Sequence, residues 1–172
     1  MVNSLSKGTQ DILDVCRDIR LMCAELHHYY ADLFMEDRAS LLFWKRTALG
    51  EENHAKEFAL IVKLRRQHVV QSFRSDLLIE AKIALIYLQS VLERSRQNPP
   101  SFAEALKTSI NLEEKLARFH LQNVVKFSDP CFPRQFTGLI QAEQERITSF
   151  RKAYDQLLSP QHDNSFQCEL TF

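Results

Sequence analysis

The 172-residue sequence has few turn-forming residues, and its charges cancel. Three glycines and five prolines are too few for an all-β chain, which needs turn residues about every 8 to 12 positions. The 22 basic and 22 acidic side chains give no net charge that would attract nucleic acid or an anionic membrane. Runs of about 18 apolar residues, the length needed to span a bilayer, are also missing. We therefore expect neither a nucleic-acid partner nor a membrane partner.

The cysteines and the N-terminal residues indicate the compartment. No Cys-x-x-Cys pair occurs among the four cysteines, which are Cys16, Cys23, Cys131 and Cys168, so a structural zinc site of paired cysteines is unsupported. The N-terminal residues lack the apolar core of a secretion signal. We expect reduced thiols in a cytoplasmic protein.

Between the proline breakers, apolar residues recur at spacings of three and four, which predicts an all-α chain. The predicted helices span about residues 9–34, 38–68, 76–95, 101–128 and 134–158. Asp76 is the predicted N-cap of the third helix. Ser101 and Glu104 form a capping-box pattern at the start of the fourth helix.

The order of these helices predicts the architecture. Two antiparallel helix pairs, joined by a long and partly helical crossover at about residues 72–98, would form a four-helix bundle. We expect one bundle domain over residues 1–160 and a polar C-terminal tail over residues 161–172.

Three of the predicted helices have a glutamate at the centre of the apolar stripe. With about 100° between successive residues, the stripe centres fall on Glu51, Glu113 and Glu143. One such glutamate usually lies at a helix edge or in a salt bridge, but three at equivalent positions indicate a shared polar site. Buried carboxylates need cations, protons or a metal ion for compensation.

Two histidines lie near these glutamates. His54 follows Glu51 by three residues and therefore shares its helix face, so the pair is a two-ligand unit. His120 follows Glu113 by seven residues, on the buried side, but a lone histidine there is more often a hydrogen-bonded core residue than a ligand. The candidate metal ligands are therefore Glu51, His54, Glu113 and Glu143.

These residues resemble the metal site of a known family. The segments EENHAKEF, ALKTSINLEEKLARFH and IQAEQERI resemble helices of ferritin-like, rubrerythrin-related domains. Such domains bind two iron or manganese ions through one glutamate on each of two helices and a Glu-x-x-His pair on each of two others. The resemblance covers the first, second, fourth and fifth helices. It implies a ferritin-like bundle and the same four candidate ligands.

Two ligand positions depart from the family pattern. Arg146 stands where the second Glu-x-x-His pair has its histidine. Cys23 stands where the first helix has its glutamate, when Tyr30 is aligned with the family's aromatic residue. Glu25 is the nearest carboxylate, but it lies about 115° from the stripe centre. The resemblance thus implies one iron or manganese ion rather than two, and a site without metal is the open alternative.

Two functions remain open. The first is a metal-binding ferritin-like protein with iron or manganese redox or iron-handling activity, which as an enzyme would be a rubrerythrin-like oxidoreductase. The second is a degenerate, metal-free member that acts through its surface as an interaction or regulatory module. In that case the guanidinium of Arg146 should reach Glu113 or Glu143. A homodimer through a helix face is compatible with either function.

Overall fold

The computed structural model describes residues 6–64, 70–127 and 137–158, and these residues are 88% helical. Five α-helices lie within the described ranges: α1 (Ser6–Leu33), α2 (Arg38–Leu64), α3 (Leu78–Gln97), α4 (Phe102–Leu116) and α5 (Thr137–Leu158). The all-α prediction is confirmed. The ferritin-like arrangement of these helices stays a prediction.

Local hydrogen bonds explain where two of the helices begin. At α4 the capping box is confirmed, because the Glu104 N–H donates to Ser101 Oγ and the Ser101 N–H donates to Glu104 Oε2. At α2 the carboxylate of Asp37 accepts from the backbone N–H of Ser40 at 3.0 Å. Both caps satisfy donors that the first helical turn leaves unpaired.

The predicted cap of α3 is wrong. The N-cap is Leu77, which makes no side-chain cap among the described residues. Asp76 lies in the 3₁₀ turn Ser75–Leu77, where its Oδ2 accepts from Arg74 Nη2 at 2.7 Å. The carboxylate of Asp76 is therefore paired with Arg74 and does not cap α3.

The fourth predicted helix is too long. Helix α4 ends at Leu116 and is followed by a 3₁₀ turn, by one helical turn at Leu121–Val124 and by strand β2 (Val125–Phe127). His120 is extended, with φ −66° and ψ 149°, so the helical register stops there. Strand β2 pairs antiparallel with strand β1 (Val70–Phe73). This long-range pairing outweighs the local helical spacing.

The helices meet at an aromatic cluster in the core. Helix α1 packs along α2 and α3, and α4 packs on α5. The Trp44 indole of α2 stacks on the His27 ring of α1 at 5.5 Å between centroids. The same indole lies 5.9 Å from the rings of Phe102 in α4 and Phe150 in α5. Side chains from α1, α2, α4 and α5 therefore share one interior.

Several predicted features lie partly outside the described residues. These include residues 65–68 of the second predicted helix, residues 134–136 of the fifth and the tail over residues 161–172. The predicted crossover at 72–98 contains α3, but its role as a crossover stays a prediction. No helix in the described ranges combines the length and apolar character that crossing a membrane requires.

Candidate functional site

Four charged side chains meet where α1, α2, α4 and α5 converge, and we call them the buried ion cluster: Arg20, Glu51, Glu113 and Arg146. Arg20 Nη1 donates a hydrogen bond to Glu51 Oε2 at 3.2 Å. Arg146 Nη2 lies 3.0 Å from Glu51 Oε1 and 2.9 Å from Glu113 Oε1. One guanidinium nitrogen thus joins the carboxylates of two helices.

The buried ion cluster is almost entirely removed from solvent. The side chain of Glu51 is 0% exposed, that of Arg20 is 1% and that of Glu113 is 3%, while Arg146 keeps 9%. Burying an isolated charge would cost several kcal/mol. Two guanidinium groups facing two carboxylates compensate this cost and leave no formal net charge.

The sequence around Glu51 makes room for the arginines. Ala48 and Ala55 lie about one helical turn before and after it, and both are buried. Gly50 precedes it, and a Cβ built there would make only an ordinary van der Waals contact of 3.6 Å with Arg146 Nη1, so the space is supplied by the alanines and does not require the glycine. Small residues on α2 therefore let a long guanidinium side chain from α5 reach the helix surface.

The two carboxylates have opposite pKa shifts. Burial would raise the pKa of Glu51, but Arg146 and Arg20 outweigh it and hold that pKa well below its usual range. Glu113 contacts only Arg146 among the described cations, so burial and the nearby Glu51 carboxylate raise its pKa to about 7. Glu51 is therefore the ionised carboxylate, and Glu113 takes up a proton near neutral pH.

Two histidines lie beside the buried ion cluster. His54 is buried, and its Nδ1 is 3.9 Å from Glu51 Oε2, which is too long for a hydrogen bond. His27 Nε2 lies 3.3 Å from Ser109 Oγ, and burial lowers the pKa of His27 to about 4. His27 is therefore a neutral core ring at neutral pH.

Helix α1 contributes the thiol of Cys23 and the guanidinium of Arg20 to the site, whereas the carboxylate of Glu25 lies outside it. Cys23 is buried, and burial together with the Glu51 carboxylate raises its pKa well above the usual range, so the thiol is unreactive. Glu25 lies on the surface, where its Oε1 pairs with Arg96 Nη2 at 2.8 Å. Glu25 therefore does not supply the missing ligand of the first helix.

Arg20 is the site residue that the sequence analysis missed. It lies three residues before Cys23 and four after Cys16, and both cysteines are buried on the core face of α1. At about 100° per residue Arg20 lies at the edge of the apolar stripe that the spacing of α1 predicts, and not at its centre, so the sequence carries little signal for it.

The other candidate residues have mixed outcomes. The expected contact between Arg146 and Glu113 is confirmed, and Glu51 joins them through the same guanidinium. Glu143 lies within α5, but its side chain is outside the described residues. His120 lies beyond the end of α4, so its assumed position one heptad after Glu113 on the same helix is wrong.

Iron or manganese, which the resemblance implies, does not fit the described residues in this arrangement. No group of three histidine, cysteine, aspartate or glutamate side chains in the described ranges could hold a metal ion. The carboxylates face guanidinium groups, which repel a divalent cation and offer no lone pair to it.

Comparison of the chain with protein-family models, with curated proteins and with solved structures finds no match. The resemblance to ferritin-like domains therefore rests on the residues of the chain itself.

Proposed function

We propose that the chain is a metal-free member of the ferritin-like, rubrerythrin-related group, in which arginines take the place of the metal ions. The supporting observation is the position of Arg146 Nη2, which lies within 3.0 Å of both Glu51 and Glu113. A metal ion that bridged two carboxylates would occupy the same place between them. The protein then acts through its surface, as an interaction or regulatory module.

Charge balance favours this proposal. Arg20 and Arg146 already neutralise Glu51 and Glu113, so an added divalent ion would leave the buried ion cluster with excess positive charge. At low effective dielectric, like charges a few ångströms apart repel by several kcal/mol. The protonation of Glu113, whose pKa is about 7, would weaken the attraction for a metal further.

One observation supports metal binding as a second candidate function. Glu51 and His54 lie on the same face of α2, with 3.9 Å between Oε2 and Nδ1. If the Arg146 side chain left the interior, Glu51, His54 and Glu113 are the residues that would hold one iron or manganese ion. An oxidoreductase or iron-handling role would then rest on that single ion.

Equilibrium dialysis with ferrous or manganous ions, followed by metal analysis, separates the two candidates. The protein should be purified without chelators or a metal-affinity tag. We expect no stoichiometric metal in the parent protein. The double variant Arg146→His with Cys23→Glu removes the repelling cation and adds a carboxylate, so it should bind two ions per chain.

A matched control uses the same helix. Arg151 lies on the surface of α5 and pairs with Glu114, so Arg151→His should leave metal binding unchanged. One tightly bound ion per parent chain would overturn the proposal and favour the metal-binding function. A folded double variant that binds no metal would show that Arg146 and Cys23 do not occupy ligand positions.

A further inference from the structure

The outer face of α3 carries large apolar side chains that the described residues leave uncovered. Ile79, Ile83 and Ile86 are between 62% and 72% exposed, and Tyr87 beside them is 39% exposed. At about 100° per residue the three isoleucines lie within about 60° of one another, opposite the buried side chain of Leu88. We call the three isoleucines and Tyr87 the α3 stripe. Single exposed apolar residues are ordinary, but four large ones together on one helix face mark an interaction surface.

The spacing of the α3 stripe is that of a seam between two helices. Intervals of four, three and four residues separate Ile79, Ile83, Ile86 and Ser90, which is the alternation of the a and d positions in a heptad. Isoleucine is also a poorer helix former than leucine or alanine. The helix α3 by itself therefore gains nothing from three exposed isoleucines, whereas a partner helix would bury them in one row.

One border of the α3 stripe carries a carboxylate at one end and a cation at the other. Glu80 lies beside Ile79, is about half exposed and pairs with Arg118. Seven residues later, about 10 Å along the same border, the Tyr87 hydroxyl accepts a hydrogen bond from Lys115 Nζ at 3.3 Å. The same ammonium group lies 4.5 Å from the centre of the Tyr87 ring. The hydroxyl hydrogen of Tyr87 has no acceptor among the described residues.

This order makes the border complementary to itself in an antiparallel pair. In a two-fold dimer with antiparallel helices, each border of a helix meets the same border of the partner with its ends exchanged. We infer that the α3 stripe binds a second copy of this chain, with the two α3 helices antiparallel. Ile83 then packs against the partner's Ile86. Glu80 faces the partner's Tyr87 and Lys115, which can both donate hydrogen bonds to its carboxylate.

The other border is compatible with the same pairing. There Lys82 faces the partner's Gln89, so no like charges face each other beside the isoleucines. An anionic membrane fits less well, because it would meet the carboxylate of Glu80 without offering a cation to it. A second copy is thereby the partner in the proposed interaction function, on which only the biological meaning of the dimer rests.

The size of the α3 stripe predicts a weak and reversible dimer. Helix α3 has 20 residues and is therefore about 30 Å long. With the bordering side chains of α4 its outer face is about 15 Å wide, which gives about 450 Å² per copy and about 900 Å² in total. Interfaces of this size are smaller than the standard one and belong to transient complexes. We expect a dissociation constant of about 10 to 100 μM.

Sedimentation velocity of the full chain at about 1 to 500 μM covers this range. The mass of the parent should rise with concentration from the 20.1 kDa of one chain towards twice that value. Ile83→Asp with Ile86→Asp places carboxylates within the seam, so this variant should be monomeric throughout. Circular dichroism should show an unchanged fold, because both side chains are exposed. The matched control is Leu49→Asp on α2, where a half-exposed leucine lies outside the α3 stripe; it should dimerise like the parent.

A charge exchange tests the antiparallel order. Glu80→Lys places a cation opposite the partner's Lys115, and Lys115→Glu places a carboxylate opposite the partner's Glu80. Each variant alone should raise the dissociation constant about tenfold, because two symmetric contacts change from attraction to repulsion. An equimolar mixture of the two should return to within about threefold of the parent, since opposite charges meet again at both contacts. In a parallel dimer Glu80 would not meet Lys115, and the mixture would not recover.

Three results would overturn the inference: a parent that stays monomeric at about 500 μM, a dimer that Ile83→Asp with Ile86→Asp leaves intact, or a mixture no tighter than its components. Binding of a monomeric parent to phosphatidylserine vesicles that Ile83→Asp with Ile86→Asp abolishes would reassign the α3 stripe to a membrane. Metal analysis of the same samples reports separately on the proposed metal-free state, so either proposal can fail alone.

Discussion

Replacing Glu113 by Gln tests how the buried ion cluster distributes its protons. Gln is neutral and similar in shape, so it imitates the protonated carboxyl group. Burial raises the pKa of Glu113 from its ordinary value of 4.5 to about 7. Between these pH values the folded protein holds a proton that the unfolded chain has released. The resulting stabilisation is fully present below pH 4.5 and is lost as the pH rises to about 7.

The size of the effect follows from the pKa shift. At about 1.4 kcal/mol per pKa unit, the shift of Glu113 corresponds to about 3 kcal/mol in the free energy of unfolding. The parent should lose this amount between about pH 4.5 and pH 7, and Glu113→Gln should not. The pKa of His27 is lowered by burial to about 4, so His27 has the opposite pH dependence. Because His27 is present in both proteins, its effect cancels in the difference between them.

Urea unfolding followed by far-ultraviolet circular dichroism, repeated over this pH range, measures the difference. Glu114→Gln is the matched control, because Glu114 is exposed and pairs with Arg151 on the surface. The control should differ from the parent by less than about 1 kcal/mol at every pH. The unfolding free energy of Glu113→Gln minus that of the parent should rise with pH. The reasoning is refuted if this difference is constant with pH or falls as the pH rises. Glu113 would then be ionised throughout, with Arg146 outweighing burial.

Two further predictions concern stability. Arg20→Met should lower the free energy of unfolding, measured with urea, by about 3 kcal/mol, because it removes one cation from the buried ion cluster. Arg17→Met, on the surface of the same helix, should lower it by less than about 1 kcal/mol. Equal losses of unfolding free energy in the two variants would contradict a role for Arg20. Gly50→Ala should raise the unfolding free energy by about 0.5–1 kcal/mol, since the added Cβ meets Arg146 only at 3.6 Å. A loss of stability would mean that Arg146 needs the space above Gly50.

The long helices could be predicted because their apolar spacing repeats over many turns. The capping box at Ser101 is equally local, since both partners lie within four residues. The end of α4 could not be predicted in this way. The helical register stops at the extended backbone of His120, and β2 then pairs with β1, about 50 residues earlier in the chain. Local periodicity gives no information about such a long-range contact.

The candidate site could be predicted in part for a similar reason. Glu51 and Glu113 stood out because a carboxylate at the centre of an apolar stripe is costly, and both prove to be buried. Arg20 has a long apolar stem, and such a residue in a stripe can also reach solvent at the helix edge. Only the three-dimensional structure shows that its guanidinium turns inwards, towards Glu51.

The buried ion cluster has a consequence for folding cooperativity. Its members come from four helices, at positions 20, 51, 113 and 146 of the chain. A partly folded state in which α5 is detached would lose both ion pairs of Arg146 and the contact of Phe150 with Trp44. Such a state keeps the conformational-entropy cost of ordering the other helices without these contacts, so it is poorly populated. The cluster thereby couples the first helix of the chain to the last described one, and the helices should unfold together in a single transition.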